Sequence, residues 1–133
     1  TVVPIRNFGI TEGAIATTVS HDCHNLTMIY RDPEDAWIAA ETLKRSGGGI
    51  AVVLNGKVLA SLALPAAGLM SQLSVDSLAP QVEQVEKAVY DLCAGKSSLL
   101  KMSTFALAAL PGAIMTDKGV LDGQSQTFMP VFQ

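Results

Sequence analysis

The chain has 133 residues and a net charge of −3, with 49% hydrophobic, 16% charged and 5% aromatic residues, a size that suits one domain with a single core. The small content of basic and aromatic residues argues against nucleic-acid binding, and no apolar stretch approaches the roughly 18 residues that a membrane-crossing helix needs. Because soluble domains usually carry about 25% charged residues, part of this surface is expected to be covered by another protein surface.

Three strands are expected before the first helix, because β-branched residues are separated there by asparagine and glycine. They are Thr1 to Arg6, Ala14 to Val19 and Leu26 to Tyr30. The chain begins within the first of these strands, at Thr1 and without the features of a secretory signal. It is therefore expected to be a fragment of a longer protein.

The first helix is expected from Pro33 to about Arg45. Asp32 suits an N-cap and Pro33 the first helical position, and acidic residues follow at the positive end of the helix dipole. The glycines at 47–49 are expected to end the helix. Helical spacing predicts three buried side chains: Trp37, Ala40 and Leu43.

A hairpin is expected next, because Asn55-Gly56 is the dipeptide that favours a two-residue type I′ turn. Its strands would be 50–54 and 57–64. The following segment, 66–71, is small and apolar, unlike an ordinary solvated loop. This composition indicates a buried or substrate-facing connection.

A second long helix is expected from about Ser74 to Ala94, ending at Gly95. Its buried face is predicted from aliphatic residues at helical spacing: Leu78, Val82, Val85, Val89 and Leu92. Proline is tolerated in the first turn of a helix, so Pro80 indicates that the regular helix begins nearer Leu78 than Ser74.

The C-terminal third predicts shorter elements. Leu99 to Leu110 fits either a buried strand or a short helix capped by Ser103, and the helix is preferred. Turns are expected at 117–119 and 122–123, followed by a closing strand at 127–132 that Pro130 confines to a sheet edge. The fold class is therefore α+β, with a mixed, mainly antiparallel sheet packed against two main helices.

Both histidines of the chain lie in the run Ser20-His21-Asp22-Cys23-His24-Asn25, and imidazole is the side chain that titrates nearest neutral pH. In an extended segment, neighbouring side chains point to opposite faces, which argues against a hydrolase triad of Ser20, His21 and Asp22 unless the chain bends tightly. The same alternation leaves two ligands per face, too few for a closed zinc site. A functional site and a hydrogen-bonded corner of the fold are equally consistent with this run. Cys23 and Cys93 lack CxxC spacing and are expected to be free thiols in a reducing cytoplasm.

Several segments, taken in order and spacing, resemble the C-terminal domain of bacterial adenine deaminase. They are Phe8-Gly9-Ile10 to Gly13-Ala14-Ile15-Ala16, Ser20 to Asn25, Gly47-Gly48-Gly49, Leu64-Pro65-Ala66-Ala67-Gly68-Leu69-Met70-Ser71 and Thr116-Asp117-Lys118-Gly119. The resemblance covers essentially the whole of 1–133 as a single domain. It departs from the family at Cys23, where serine is common, and at 97–102.

The resemblance implies an amidohydrolase-superfamily enzyme that converts adenine and water to hypoxanthine and ammonia. In that family a (β/α) barrel precedes this domain and holds a divalent metal, manganese or iron. This chain would then bind no metal, would be inactive alone, and would belong to a cytoplasmic homo-oligomer with the barrel and adenine as partners.

The resemblance makes Ser20, His21 and Asp22 the candidate substrate-binding residues. His24 and Asn25 would orient them from behind. The alternative is a purely structural or oligomerisation domain without contact to substrate. A weaker alternative is an independent domain that binds a small molecule.

Overall fold

The computed structural model describes residues 1–21, 23–107 and 109–131. Within these residues the elements are, in chain order, β1 (Ala14–Thr17), β2 (Thr27–Tyr30), α1 (Pro33–Ser46), β3 (Gly49–Leu54), β4 (Lys57–Ala63), α2 (Val75–Leu92), α3 (Leu99–Ser103), β5 (Ala113–Thr116), β6 (Gly119–Asp122) and β7 (Thr127–Met129). The α+β class with two main helices is confirmed. None of the described helices has the length and hydropathy of a membrane span.

The core is a four-stranded sheet with the order β2-β1-β3-β4, in which all neighbouring pairs are antiparallel. Side chains alternate between its two faces. One face, with Ile15, Ile50 and Val52, packs against α2 and α3. The other, with Ala16, Ala51 and Val53, packs against α1. Two helical layers therefore cover the sheet and leave its strand ends as the exposed rims.

Helix α1 begins and ends where its sequence predicts. The Asp32 side chain accepts hydrogen bonds from the N–H groups of Glu34 (2.8 Å) and Asp35 (3.4 Å), and Gly47 ends the helix at φ 76°. The prediction that Trp37 is buried is wrong, because its side chain is 68% exposed. The face toward the sheet consists mainly of alanines, which let the helix approach closely and leave no room for an indole, while Leu43 is buried as predicted.

The β3–β4 hairpin confirms the Asn55-Gly56 turn, with both residues at positive φ (52° and 76°) as type I′ requires. Its turn is held by Asp35, a residue that the sequence indicated only as a favourable charge at the start of α1. The Asp35 carboxylate is buried, and it accepts hydrogen bonds from the N–H groups of Asn55 (3.0 Å) and Gly56 (2.7 Å). Helix α1 is thereby fastened to the hairpin at this end of the sheet.

Two boundary predictions in the first and second thirds are wrong. Thr1 to Arg6 is not a strand, because Pro4 lacks the N–H that a sheet ladder requires. Helix α2 starts at Val75 with Ser74 as its N-cap, which confirms the predicted start at about Ser74, whereas the inference from Pro80 that the helix begins nearer Leu78 is wrong. Proline has no N–H to donate to the carbonyl of Asp76, four residues earlier. The helix accommodates Pro80 because both residues face solvent. The predicted apolar face of α2 is confirmed, with Val85 and Val89 fully buried.

The segment from Leu99 contains a short helix, as predicted in preference to a strand, but Ser103 does not cap this helix. Helix α3 is capped by Ser98, whose Oγ accepts from the Lys101 N–H (3.3 Å), and it ends at Ser103. The predicted turns at 117–119 and 122–123 connect a second, three-stranded antiparallel sheet of order β5-β6-β7. The strands β5 and β6 are not among the predicted elements, although the turns at both ends of β6 are. The closing strand β7 lies at a sheet edge as expected and ends at Met129, before Pro130.

Candidate functional site

Three segments that are distant in the sequence meet at one rim of the core sheet. They are the polar turn (residues 20–25), the glycine corner (47–49) and the apolar loop (64–71). The sheet register brings them together, since Thr17 pairs with both Thr27 and Ile50, and Gly49 pairs with Ala63. The Asn55-Gly56 turn lies at the opposite rim.

Thr18 connects these segments. Its hydroxyl Oγ1 lies 2.6 Å from the Gly68 carbonyl and 3.3 Å from the Gly49 carbonyl, and it accepts a hydrogen bond from the Gly49 N–H (2.8 Å). Its backbone N–H donates to the Gly49 carbonyl (2.9 Å). One half-buried side chain therefore joins the end of β1 to both the glycine corner and the apolar loop.

The glycine corner and the apolar loop touch through their backbones. A Cβ placed on Gly48 would lie 2.4 Å from the Cα of Gly68 and 3.0 Å from Thr18 Oγ1, and Gly48 has φ 115°. The Leu64 N–H also donates to the Gly48 carbonyl (3.0 Å). The three glycines therefore end α1, as predicted. They also allow the glycine corner to approach the backbone of the apolar loop closely, which the sequence did not predict.

The polar turn bends back on itself, so the tight bend that the argument from an extended segment left open is present here. The His24 N–H donates to the Ser20 carbonyl (2.7 Å), and His24 adopts φ 50°. Among the described residues of the bend, however, the hydroxyl and the imidazole of the suggested triad are in different environments. Ser20 is fully buried, with its Oγ accepting from Thr27 Oγ1 (2.9 Å), whereas His21 is exposed.

The candidate residues are therefore in three situations. Ser20 lies inside the fold; His21, His24 and Asn25 are exposed on the turn; and Asp22 lies outside the described residues. The backbone of the turn is fixed from a further side, because the His21 N–H donates to the Ser103 carbonyl at the end of α3 (3.2 Å). The exposed imidazoles are thus presented on an anchored backbone.

Beside the turn lies a groove of about 1270 Å³. It runs between the N-terminal segment 1–10 and the residues 25–31 of the sheet edge, and Cys23 and Asn25 form part of its lining. Among the residues that the structure describes, its lining combines apolar side chains with polar and charged ones, including Cys23, Arg31 and Asp117.

Metal coordination finds no support in the part of the chain that the structure describes, where no three His, Cys, Asp or Glu side chains are grouped closely enough to hold an ion. The two cysteines are free thiols, as predicted, with Cys23 exposed and Cys93 buried. Burial raises the pKa of the Cys93 thiol above its ordinary value of 9.0, and the charge of Lys101 opposes that rise. Cys93 is therefore a core residue and not a reactive one.

Comparison with known proteins extends these findings. A family model described as the adenine deaminase C-terminal domain matches residues 1–127. An adenine deaminase of Clostridium botulinum (strain ATCC 19397 / Type A) is 40% identical over 129 residues, which are 96% of this chain and 22% of that protein. The adenine deaminase of Thermosipho africanus is 34% identical over 128 residues (96% and 22%), and that of Halalkalibacterium halodurans is 39% identical over 127 residues (94% and 22%). The chain therefore spans less than a quarter of the length of these relatives.

Proposed function

The chain belongs to the adenine deaminase C-terminal domain family, and from this premise we propose that it is the accessory domain of an enzyme that hydrolyses adenine to hypoxanthine and ammonia. The reaction itself would take place on a preceding barrel domain, which would hold the manganese or iron. The described residues of this chain contain no group of metal ligands.

One structural observation supports a more specific proposal than the family match alone. Three of the segments that resemble the family, namely the polar turn, the glycine corner and the apolar loop, meet at one rim of the sheet although Thr18 and Gly68 are 50 residues apart. A motif with a purely structural role would not require exposed polar groups. This rim, however, presents exposed imidazole and amide groups on an anchored backbone. We propose that this rim faces the substrate site of the barrel.

The polar groups on the turn suit a purine. Adenine offers ring nitrogens that accept hydrogen bonds and an amino group that donates them, and imidazole and carboxylate side chains complement both. We assign direct contact with adenine to His21 and Asp22 and orientation to His24 and Asn25. Ser20 is buried against Thr27, so its predicted contact with substrate would require a rearrangement, and we assign it instead to anchoring the turn.

The proposal is tested by kinetics of the full-length enzyme carrying His21→Ala or Asp22→Ala. Loss of one hydrogen bond to the substrate, worth roughly 0.5–1.5 kcal/mol, lowers kcat/KM by about 2- to 12-fold. Metal content should stay at the wild-type level, because the ligands lie elsewhere. Lys57→Ala is the control, since Lys57 is exposed at the opposite rim of the same sheet. Wild-type kinetics in both test variants would remove the turn from the substrate site.

The alternative is that the domain only covers the barrel and mediates subunit contacts. Exposed apolar side chains favour it, among them Val75 (79% exposed), Trp37 (68%) and Phe128 (60%). Cytoplasmic homo-oligomers are expected under either proposal. The two differ in whether the polar turn approaches adenine, so the same variants separate them.

A further inference from the structure

The contacts of Thr18 suggest more than a stabilising role. A threonine hydroxyl has one proton to donate, and the Gly68 carbonyl at 2.6 Å is a closer acceptor than the Gly49 carbonyl at 3.3 Å. The Gly49 N–H occupies the acceptor side of the same oxygen (2.8 Å). The hydroxyl proton is thus used within the chain and is not available to a substrate.

We propose that Thr18 is a positioning residue for adenine binding, which sets the apolar loop against the polar turn so that both contact the same purine. The inference rests on the proposed function, because it requires that the rim faces the substrate. Thr18 lies two residues before the polar turn, and its hydroxyl holds the middle of the apolar loop. A shift of either segment relative to the other therefore has to stretch the contact between Thr18 and Gly68.

The apolar loop is closed by its own backbone hydrogen bonds, which link the contact at Gly68 to the rest of the loop. Ala66 and Met70 exchange two backbone hydrogen bonds, both 3.1 Å long, and so close the loop around Gly68. Gly48 presses on Gly68 from behind with no space for a Cβ. The position of Gly68 therefore fixes the position of Met70.

Met70 is the group that would contact the substrate from this loop. Its side chain is 63% exposed on the rim, and a thioether packs favourably against an aromatic ring. The polar turn would bind the edge of adenine with its nitrogens, and Met70 would cover its flat face. The separate edge and face contacts explain why a fixed distance between the two segments matters.

The test compares Thr18→Val with Thr18→Ser in the full-length enzyme. Valine keeps the shape but loses the hydroxyl, and serine keeps the hydroxyl. A misplacement of substrate by about 1 Å lowers turnover by up to about 100-fold, so we expect Thr18→Val to lose about 10-fold or more in kcat/KM and Thr18→Ser to stay within about 2-fold of the wild type. Metal content should be unchanged in both.

Thr42→Val is the matched control, because the Thr42 hydroxyl donates only within α1, to the Ile38 carbonyl (2.8 Å). It should keep wild-type kinetics. A merely structural role for Thr18 predicts a different pattern, in which Thr18→Val lowers the melting temperature but the folded enzyme keeps wild-type kcat and KM. That pattern would overturn the inference.

Met70→Ala decides the matter if Thr18→Val does not fold, because an exposed side chain is dispensable for folding. We expect a raised KM for adenine with Met70→Ala and an unchanged KM with Leu73→Ala, which is 52% exposed but outside the loop. A wild-type KM in Met70→Ala would overturn the inference. If His21→Ala is impaired while Thr18→Val is not, the positioning role alone fails; if His21→Ala and Asp22→Ala are also wild type, the proposed function fails with it.

Discussion

The hydrogen bonds of Asp35 make a prediction about stability that is separate from the site. Asp35→Ala removes both acceptors of the Asn55 (3.0 Å) and Gly56 (2.7 Å) N–H groups. Hydrogen bonds to a charged group contribute about 1.5–3 kcal/mol each, but Asn55 and Gly56 are exposed, so water replaces part of the loss. We expect a decrease of about 2–4 kcal/mol in the free energy of unfolding, which corresponds to roughly 10 °C in melting temperature for a chain of this size.

Glu34→Ala separates this effect from the helix dipole. Glu34 is exposed in the same first turn of α1, and its loss should cost only about 0.3–1 kcal/mol. Asp35→Asn keeps the volume but has one oxygen left to accept two N–H groups, so it should show at least half of the loss. Urea unfolding of the 133-residue chain, followed by far-UV circular dichroism, measures all three. Equal unfolding midpoints for Asp35→Ala and Glu34→Ala would refute the contribution of the hydrogen bonds from Asp35 to the hairpin. An altered kcat/KM of the full-length enzyme carrying Asp35→Ala would refute the separation of this rim from the candidate site.

Two further predictions concern packing and thiol reactivity. Gly48→Ala should destabilise the chain by about 2–4 kcal/mol, from overpacking and backbone strain together, since its Cβ would lie 2.4 Å from the Cα of Gly68. The control is Gly56→Ala, which should cost only about 1–2 kcal/mol, because Gly56 has positive φ but no atom within 4 Å of an added Cβ. Equal losses of unfolding free energy for the two variants in urea would contradict the close approach of Gly48 and Gly68. A thiol reagent at pH 8 should modify Cys23 in the native chain and Cys93 only after unfolding, because Cys93 is buried and its raised pKa leaves little thiolate; rapid modification of both thiols in the native chain would show that the burial of Cys93 is wrong.

Local patterns predicted the elements that depend on local chemistry. The capping of α1 by Asp32 and the Asn55-Gly56 turn rest on interactions within a few residues, so the sequence sufficed. Trp37 was misplaced because the face that a helix turns to a sheet depends on how closely the two approach. The alanine-rich face of α1 permits a closer approach than an indole allows.

The candidate site likewise combines features that local patterns predicted with features that depend on contacts between distant residues. The residue types of the polar turn singled it out, but its bend depends on His24 at φ 50° and on the hydrogen bond to Ser20, which alternation rules for strands do not describe. Thr18 and Gly68 gave no signal in their own neighbourhoods, since their contact joins residues 50 apart. A glycine in each of two distant loops was the available hint of a close backbone approach.

The central claim is that the polar turn of this domain lies at the adenine site of the full-length enzyme. A structure of that enzyme with adenine bound tests the claim most directly, through the distances from the His21 imidazole and the Asp22 carboxylate to the purine nitrogens. We predict that at least one of these groups lies about 3 Å from a purine nitrogen, or is joined to adenine through a single water molecule. A layer of barrel residues between the turn and the purine would contradict it.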